Sequence, residues 1–253
     1  MRLLVTRPED DAKALVADLE ARGHEVILAP LMNVVWRDDV PLDLGHVQAV
    51  LLTSANGARA AARHRHAQAL VERPAFAVGE ATARAAHQAG FVDVTVSGGD
   101  VTHLAQSVAA TLTPDAGRLL HLAGSVTAGD LAGDLASRGF DVTRAVVYEA
   151  TAVTQLPEPA HEALKRSALD GVCLYSPRTA TLFRGLVDKA GLAKSAQRLV
   201  AYCLSDRVAD ALHGFTLKDC RVARAPTHEA MLALIDDDKP GDSSSPGGDL
   251  ETV

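Results

Sequence analysis

Short polar turns that follow apolar, strand-like runs carry the residues of this chain best suited to chemistry. Free backbone N–H groups at helix starts, together with hydroxyl and guanidinium groups, bind anions such as carboxylates and phosphates. Because the carboxyl ends of parallel strands lie at one edge of a sheet, we expect such turns to line a binding site. Six turns of this kind supply the candidates, which are Arg7, Thr53, Ser54, Asn56, Gly79, Thr82, Gly124, Ser125, Ser176, Arg178 and Ser205.

Helix capping is the alternative role for each of these turns. Ser, Thr and Asn are preferred where a helix begins, and Pro is common in its first turn, whether or not a ligand binds there. Capping is the more common role for any single turn. Polar turns repeated along two sheet edges favour an anion-binding site for the set.

Motifs for other chemistries are missing from the sequence. There is no G-x-G-x-x-G after a strand and no G-x-x-x-x-G-K-[ST], so the fingerprints of dinucleotide and P-loop binding are absent. His64 and His66, two residues apart, are expected on different sides of a helix, which disfavours a shared metal site. A lone His121 within a strand is expected to be packed. The sequence thus offers no fingerprint of a nucleotide cofactor and no paired-histidine metal site.

Composition narrows the class of protein. The net charge of −7 is concentrated at the C-terminus, because 236–253 carries six acidic residues and one Lys. The remaining body has a net charge of −7 − (−5) = −2, and aromatic residues make up only 4% of the chain, so nucleic-acid binding is not expected. No apolar run approaches the roughly 20 residues of a membrane span. Three dispersed cysteines and the lack of a signal-like N-terminus predict a cytoplasmic protein.

Alternation of apolar strand-like runs with Ala-rich amphipathic stretches predicts an α/β fold with parallel sheets covered on both faces. The predicted strands, which divide into five and five, are Arg2–Thr6, Glu25–Ala29, Ala49–Thr53, Ala75–Val78, Asp93–Val96, Leu119–Leu122, Val142–Val147, Gly171–Tyr175, Leu199–Leu204 and Arg221–Ala223.

An internal duplication organises these elements. The segment starting at Val5 returns at His121, with Gly23 aligned on Gly139, and the segment around Leu52-Thr53-Ser54 returns around Leu174-Tyr175-Ser176. The order of segments is a-b-a′-b′, which predicts two similar lobes with a cleft between them.

Two linker-like segments, 33–41 and 150–159, suggest how the chain is divided. They favour a discontinuous lobe from 1–34 plus 152–236, and a second lobe from 36–150. Two sequential halves remain an alternative at this stage. The Ser-, Pro- and Gly-rich stretch 237–253 is expected to be a disordered acidic tail.

The series of turn motifs resembles the uroporphyrinogen-III synthase family. The motifs follow one another in order from residue 1 to about 235, and they are Val5-Thr6-Arg7-Pro8, Leu52-Thr53-Ser54-Ala55-Asn56-Gly57, Ala77-Val78-Gly79-Glu80-Ala81-Thr82-Ala83, Val147-Tyr148-Glu149-Ala150 and Tyr175-Ser176-Pro177-Arg178. The resemblance implies two flavodoxin-like lobes joined by two connectors. It implies closure of the linear tetrapyrrole hydroxymethylbilane to uroporphyrinogen III, with inversion of the last ring and loss of water, as in heme biosynthesis, by a monomer that needs no cofactor.

Tyr148 matches the tyrosine of the family that lies near the departing hydroxyl, so it is the candidate catalytic residue. Packing at a strand end is the alternative for this side chain. Two turns depart from the pattern of the family: Ala123 precedes Gly124 where an Arg is common, and Asp206 follows Ser205. A non-catalytic two-lobed sensor of a small anion also fits the turns.

Overall fold

Parallel β-sheets covered by helices form the described part of the chain, residues 1–127 and 129–238 of a computed structural model. Within it, the chain divides into two compact units. The first unit contains Met1–Asn33 and the chain from Ala152 onward, and the second contains Val34–Thr151. None of the described helices is both long and apolar enough to cross a membrane.

Eleven strands are described. They are β1 (Arg2–Val5), β2 (Glu25–Leu28), β3 (Met32–Trp36), β4 (Val47–Leu52), β5 (Ala75–Ala77), β6 (Val94–Val96), β7 (Arg118–Gly124), β8 (Val142–Ala152), β9 (Gly171–Leu174), β10 (Val200–Cys203) and β11 (Asp219–Val222).

Eleven α-helices lie between these strands in the same described residues. They are α1 (Glu9–Ala21), α2 (Ala55–Arg63), α3 (Ala67–Val71), α4 (Glu80–Ala89), α5 (Val101–Thr111), α6 (Leu131–Ala136), α7 (Glu158–Lys165), α8 (Pro177–Lys189), α9 (Ala193–Ala196), α10 (Asp206–Asp210) and α11 (His228–Asp236).

The strand order of the two sheets reflects the duplication. One sheet has the order β11-β10-β9-β1-β2, and the other has the order β3-β8-β7-β4-β5-β6. Each sheet contains a pair of strands consecutive in sequence (β1–β2 or β7–β8) and a trio (β9–β11 or β4–β6). The first strand of the pair lies beside the first strand of the trio in both sheets. The neighbouring strands with described registers are parallel. The α/β class and the parallel sheets predicted from the sequence are therefore confirmed.

Burial on both faces explains the continuous apolar strands. In β1, Leu3 and Val5 pack in one core cluster while Leu4 packs in another, and all three are fully buried. In β4, Leu51 and Leu52 divide between two clusters in the same way. Side chains of a strand alternate between faces, so each sheet has an apolar layer on either side that the helices cover.

Two segments differ from the linkers expected from the sequence. Residues Met32–Trp36 form edge strand β3, in which Asn33 and Val35 are exposed while Met32 is buried. Strand β8 continues to Ala152 and so includes the first residues of the second predicted linker. Pairing with a neighbouring strand, which no local periodicity reveals, stabilises these segments.

The described chain ends just beyond the predicted start of the acidic tail. Helix α11 ends at Asp236, and the carboxylate of Asp238 accepts a hydrogen bond from the hydroxyl of Tyr202 at 2.8 Å. The rest of the predicted tail, 239–253, lies outside the described residues.

His121 on β7 is a buried ionisable side chain of the second unit, with 3% of its surface exposed. Its Nε2 lies 3.0 Å from the Thr53 hydroxyl. Burial, and then the nearby Arg144 guanidinium, lowers the pKa of His121 from 6.5 to about 4. The side chain is thus neutral at physiological pH and packed, as expected from the sequence.

We expect the free energy of unfolding to fall as the pH is lowered from about 6.5 to about 4. The unfolded chain takes up a proton on His121 near pH 6.5, whereas the folded chain does so only near its lowered pKa, so this contribution is complete above pH 6.5. Its full loss corresponds to roughly 3 kcal/mol. Urea unfolding at several pH values measures it.

Two variants isolate the His121 contribution. His121→Gln should remove this part of the pH dependence, whereas His213→Gln, at an exposed position, should keep it. An unchanged pH slope in His121→Gln would contradict the assignment.

Candidate functional site

The hydroxyl groups of Ser54 and Tyr148 form the central contact of the candidate site. Ser54 Oγ and Tyr148 Oη lie 2.8 Å apart, and either can donate the hydrogen bond. Ser54 is also the N-cap of α2, where its Oγ accepts from the backbone N–H of Gly57 at 3.2 Å. When Ser54 donates, the phenol proton is available to a further acceptor.

Packing holds the Tyr148 ring in place. The side chain is 9% exposed, and the ring of Trp36 lies 6.3 Å away at an interplanar angle of 54°. Tyr148 also belongs to the core cluster that contains Val147. The two roles considered for Tyr148, packing and chemistry, are therefore compatible, because a packed ring presents its hydroxyl in one position.

Gly124, the last residue of β7, lies directly against this ring. A Cβ atom at Gly124 would come within 2.7 Å of the Tyr148 Cζ, so no side chain fits there while the ring keeps its position. The next residue, Ser125, donates its backbone N–H to the Tyr148 carbonyl at 3.0 Å. The exposed Ser125 side chain, rather than its backbone N–H, can therefore meet a ligand.

Other candidates of the second unit lie at the starts of α2 and α4. The side-chain Oδ1 of Asn56 accepts a hydrogen bond from the Arg59 guanidinium at 2.7 Å, within α2. Gly79 is the N-cap of α4 in extended conformation, with φ of −171°. The side chain of Thr82 is only 5% exposed in the first turn of α4, so its hydroxyl is covered in this structure.

The candidates of the first unit occupy the turns after β1, β9 and β10. The Arg7 guanidinium lies 4.3 Å from the centre of the Tyr175 ring, a cation–π contact. Ser176 caps α8 by accepting from the Thr179 N–H at 3.1 Å, and Arg178 is exposed in the same turn. Ser205 is the N-cap of α10 without a side-chain cap bond, so its hydroxyl is better placed for a ligand than that of Ser176.

Tyr175 was not singled out from the sequence. Burial raises the pKa of Tyr175, whose hydroxyl lies in the interior beside the Arg7 guanidinium. Its position at the end of β9, two residues after buried Cys173, was the available signal. A neutral phenol beside Arg7 adds a hydrogen-bond donor to this turn.

The two histidines set aside as metal ligands lie closer together than expected. His64 and His66 are between α2 and α3, with ring centres 5.4 Å apart, because the helix ends at Arg63. Both ring nitrogens of His64 are engaged, one by the backbone N–H of His66 and one by the Val40 carbonyl. This engagement, rather than their separation on a helix, makes the pair unsuited to a metal.

Two further features of the first unit involve none of the predicted turns. Glu158, His161 and Glu162 on α7 could offer ligand atoms within 4.8 Å of one another, but Arg166 already pairs with Glu162 at 3.1 Å. A cavity of about 900 Å³ lies beside them, with Pro30, Asn33 and Lys189 on its wall.

Comparison with known proteins gives the following matches. The family described as uroporphyrinogen-III synthase HemD matches residues 13–233. No curated protein sequence matches the chain. Among solved structures, uroporphyrinogen-III synthetase from Helicobacter pylori gives a TM-score of 0.63 at 19% identity, covering 94% of this chain and 99% of that chain. A mutant uroporphyrinogen III synthase from the extremely thermophilic bacterium Thermus thermophilus gives a TM-score of 0.49 at 20% identity, covering 94% and 96%.

The structural likeness to the Helicobacter enzyme shows a shared fold. The family match carries the assignment, because it extends over residues 13–233 and includes the turns that follow β4, β5, β7 and β9. The resemblance seen in the sequence is thereby confirmed, and the chain belongs to the uroporphyrinogen-III synthase family.

Proposed function

We propose that the Ser54–Tyr148 hydroxyl pair is the catalytic centre at which this chain closes hydroxymethylbilane to uroporphyrinogen III. Family membership makes the chain a lyase of tetrapyrrole and heme biosynthesis that cyclises this bilane. One observation supports the location: two hydroxyls 2.8 Å apart, where α2 begins after β4.

Departure of the hydroxymethyl oxygen as water is the step that needs a proton donor. The Tyr148 phenol, held by Ser54, donates a hydrogen bond or a proton to this oxygen as the C–O bond breaks and a cationic azafulvene forms. The substituted carbon of the last ring attacks the cation to give a spiro intermediate, which fragments and recloses with the ring inverted. The ring carbon then loses a proton, which restores the phenol, so that bilane yields product and one water.

We propose that local donors bind the substrate, because the body of the chain outside 236–253 has a net charge of −2, from −7 − (−5), and the bilane carries eight carboxylates. In the second unit we propose contacts from the Thr53, Asn56, Gly79, Thr82, Gly124 and Ser125 turns. In the first unit we propose Arg7, Ser176, Arg178 and Ser205, with Tyr175 beside Arg7. Helix N-termini and guanidinium groups favour carboxylates.

Further parts of the proposal concern the state in which the enzyme works. We propose flavodoxin-like units joined by β3 and β8 as connectors, with functional domains bounded near residues 34–36 and 150–152. We also propose that the enzyme acts as a cytoplasmic monomer, without metal, cofactor or nucleic acid. The alternative, a sensor of a small anion, is not favoured by the family match.

Purified protein stripped of metals should convert enzymatically generated hydroxymethylbilane mainly to the type III isomer. The reason is that the proposed centre consists of side-chain hydroxyls and needs no metal. Separation of the porphyrin isomers after oxidation measures the product. Formation of type I isomer alone, at the spontaneous rate, would contradict the proposed function.

Tyr148→Phe should lower kcat by on the order of 10²-fold with little change in KM, because it removes one general acid and keeps the packed ring. Tyr202→Phe is the matched control, since this buried tyrosine donates to Asp238 in the first unit and has no proposed role in the reaction. Steady-state kinetics and thermal melting compare both variants. Wild-type kcat in Tyr148→Phe would make Tyr148 a packing residue only.

Gly124→Ala should lower kcat by displacing the phenol, because the new methyl group would lie within 3 Å of three ring and hydroxyl atoms of Tyr148. Overpacking of this kind costs roughly 1–3 kcal/mol of stability. Gly185→Ala on α8 is the control, since a Cβ there meets nothing within 4 Å. Kinetics and urea unfolding of both variants test this, and wild-type kcat in Gly124→Ala would show that the ring position does not limit the reaction.

A further inference from the structure

A β-bulge near the end of β7 and β8 determines the face on which Tyr148 lies. The two strands pair regularly up to Ala123 opposite Val146, and the next pair is Gly124 opposite Tyr148. Val147 is therefore an extra residue on β8. Because of it, Val147 and Tyr148 pack in the same core cluster, whereas strict alternation would place them on opposite faces. The bulge thus turns the phenol towards α2 and Ser54.

The Arg144 side chain holds the strand end that forms this bulge. Arg144 lies opposite His121 in the register, and its Nη2 donates to the carbonyl oxygens of Gly124 at 2.6 Å and Ser125 at 3.2 Å. On the other side, the Ser125 backbone N–H donates to the Tyr148 carbonyl. One turn is therefore tied to β8 at two places, before and after the bulge.

The surroundings of Arg144 indicate support for this turn rather than contact with a pyrrole. A cavity of about 40 Å³ lies between Arg144, His121 and Thr53. This volume has room for water but not for a pyrrole ring. In the same place, His121 bonds the hydroxyl of Thr53, the residue before Ser54. His121 thus supports the Ser54 side of the Ser54–Tyr148 contact, and Arg144 supports the turn beside Tyr148.

We propose that Arg144 is a positioning residue for the cyclisation: by holding the Gly124 and Ser125 carbonyls it maintains the bulge that aims the Tyr148 phenol at Ser54. The inference rests on the proposed role of Tyr148. A guanidinium suits this task because its planar array of donors can bond two neighbouring acceptors at once. Without it, water can solvate the carbonyls, so the fold persists while the phenol loses its fixed position.

A double-mutant cycle of Arg144→Ala and Tyr148→Phe tests the coupling. Arg144→Ala should lower kcat roughly tenfold with KM changed less than about twofold, since small displacements of catalytic groups are costly. In the Tyr148→Phe background the same substitution should cost less than about twofold, because no phenol remains to be positioned. Arg144→Lys should recover part of kcat. Arg138→Ala, which removes an exposed arginine from the same unit, should keep wild-type kcat.

Three results would overturn the inference: an equal loss of kcat in both backgrounds, an unchanged kcat in Arg144→Ala, or a rise in KM at constant kcat. Thermal melting checks the fold of each variant, and if Arg144→Ala does not fold, Arg144→Gln takes its place. The same experiment tests the proposed function independently of Arg144. The type III product formed by the wild type and the loss of kcat in Tyr148→Phe are the measurements that do so.

Discussion

Parallel pairing of β7 with β4 on one side and β8 on the other is the constraint on which the candidate site depends. It brings the turn after Leu52 and the turn after β7 to the same edge of one sheet. Helix α2 can follow the first turn only because Gly57 lies against the backbone of β7, where a Cβ would meet the Leu122 carbonyl oxygen at 2.6 Å. This approach sets the start of α2, and with it the Ser54 hydroxyl. The glycine at this position therefore helps to fix the hydroxyl that is proposed to take part in the reaction.

Much of the arrangement of strands and helix N-termini around the candidate site could be predicted from the sequence, because it depends on local patterns. Apolar runs of four to six residues followed by Ser, Thr or Gly predict parallel strands that end at helix N-termini, and Ser54 and Ser176 do cap their helices. The duplication predicts that two sheets share one arrangement, which the strand orders display. What these patterns do not contain is long-range pairing. Edge strand β3 acquires its conformation from its neighbour in the sheet, so its sequence resembled a linker.

The contacts within the site were beyond prediction for the same reason. The separation of 94 residues between Ser54 and Tyr148 is closed by sheet topology, and the bulge that directs the phenol adds a residue that no periodicity marks. Arg144 illustrates the point further. Arg144 was not singled out from the sequence, yet its side chain reaches the turn that, by resemblance to the family, lacks an arginine at Ala123. A neighbouring strand thus supplies a guanidinium where the turn itself has none.

The two hydroxyls of the Ser54–Tyr148 pair carry no charge, and this bears on how the proposed reaction selects one isomer of the product. Neither partner is a carboxylate or an ammonium group, so in the proposed mechanism the pair adds no net charge beside a substrate with many carboxylates. Its contribution is directional, since a hydrogen bond weakens steeply away from its preferred angle. The isomer that forms is decided by which carbon of the last ring meets the cation, and this depends on how the two ends of the bilane are held relative to one another. A packed ring, a bulge and a turn without a side chain, at Gly124, together hold the Tyr148 hydroxyl in one position, so in the proposed mechanism the rigidity of this turn contributes to the chemistry.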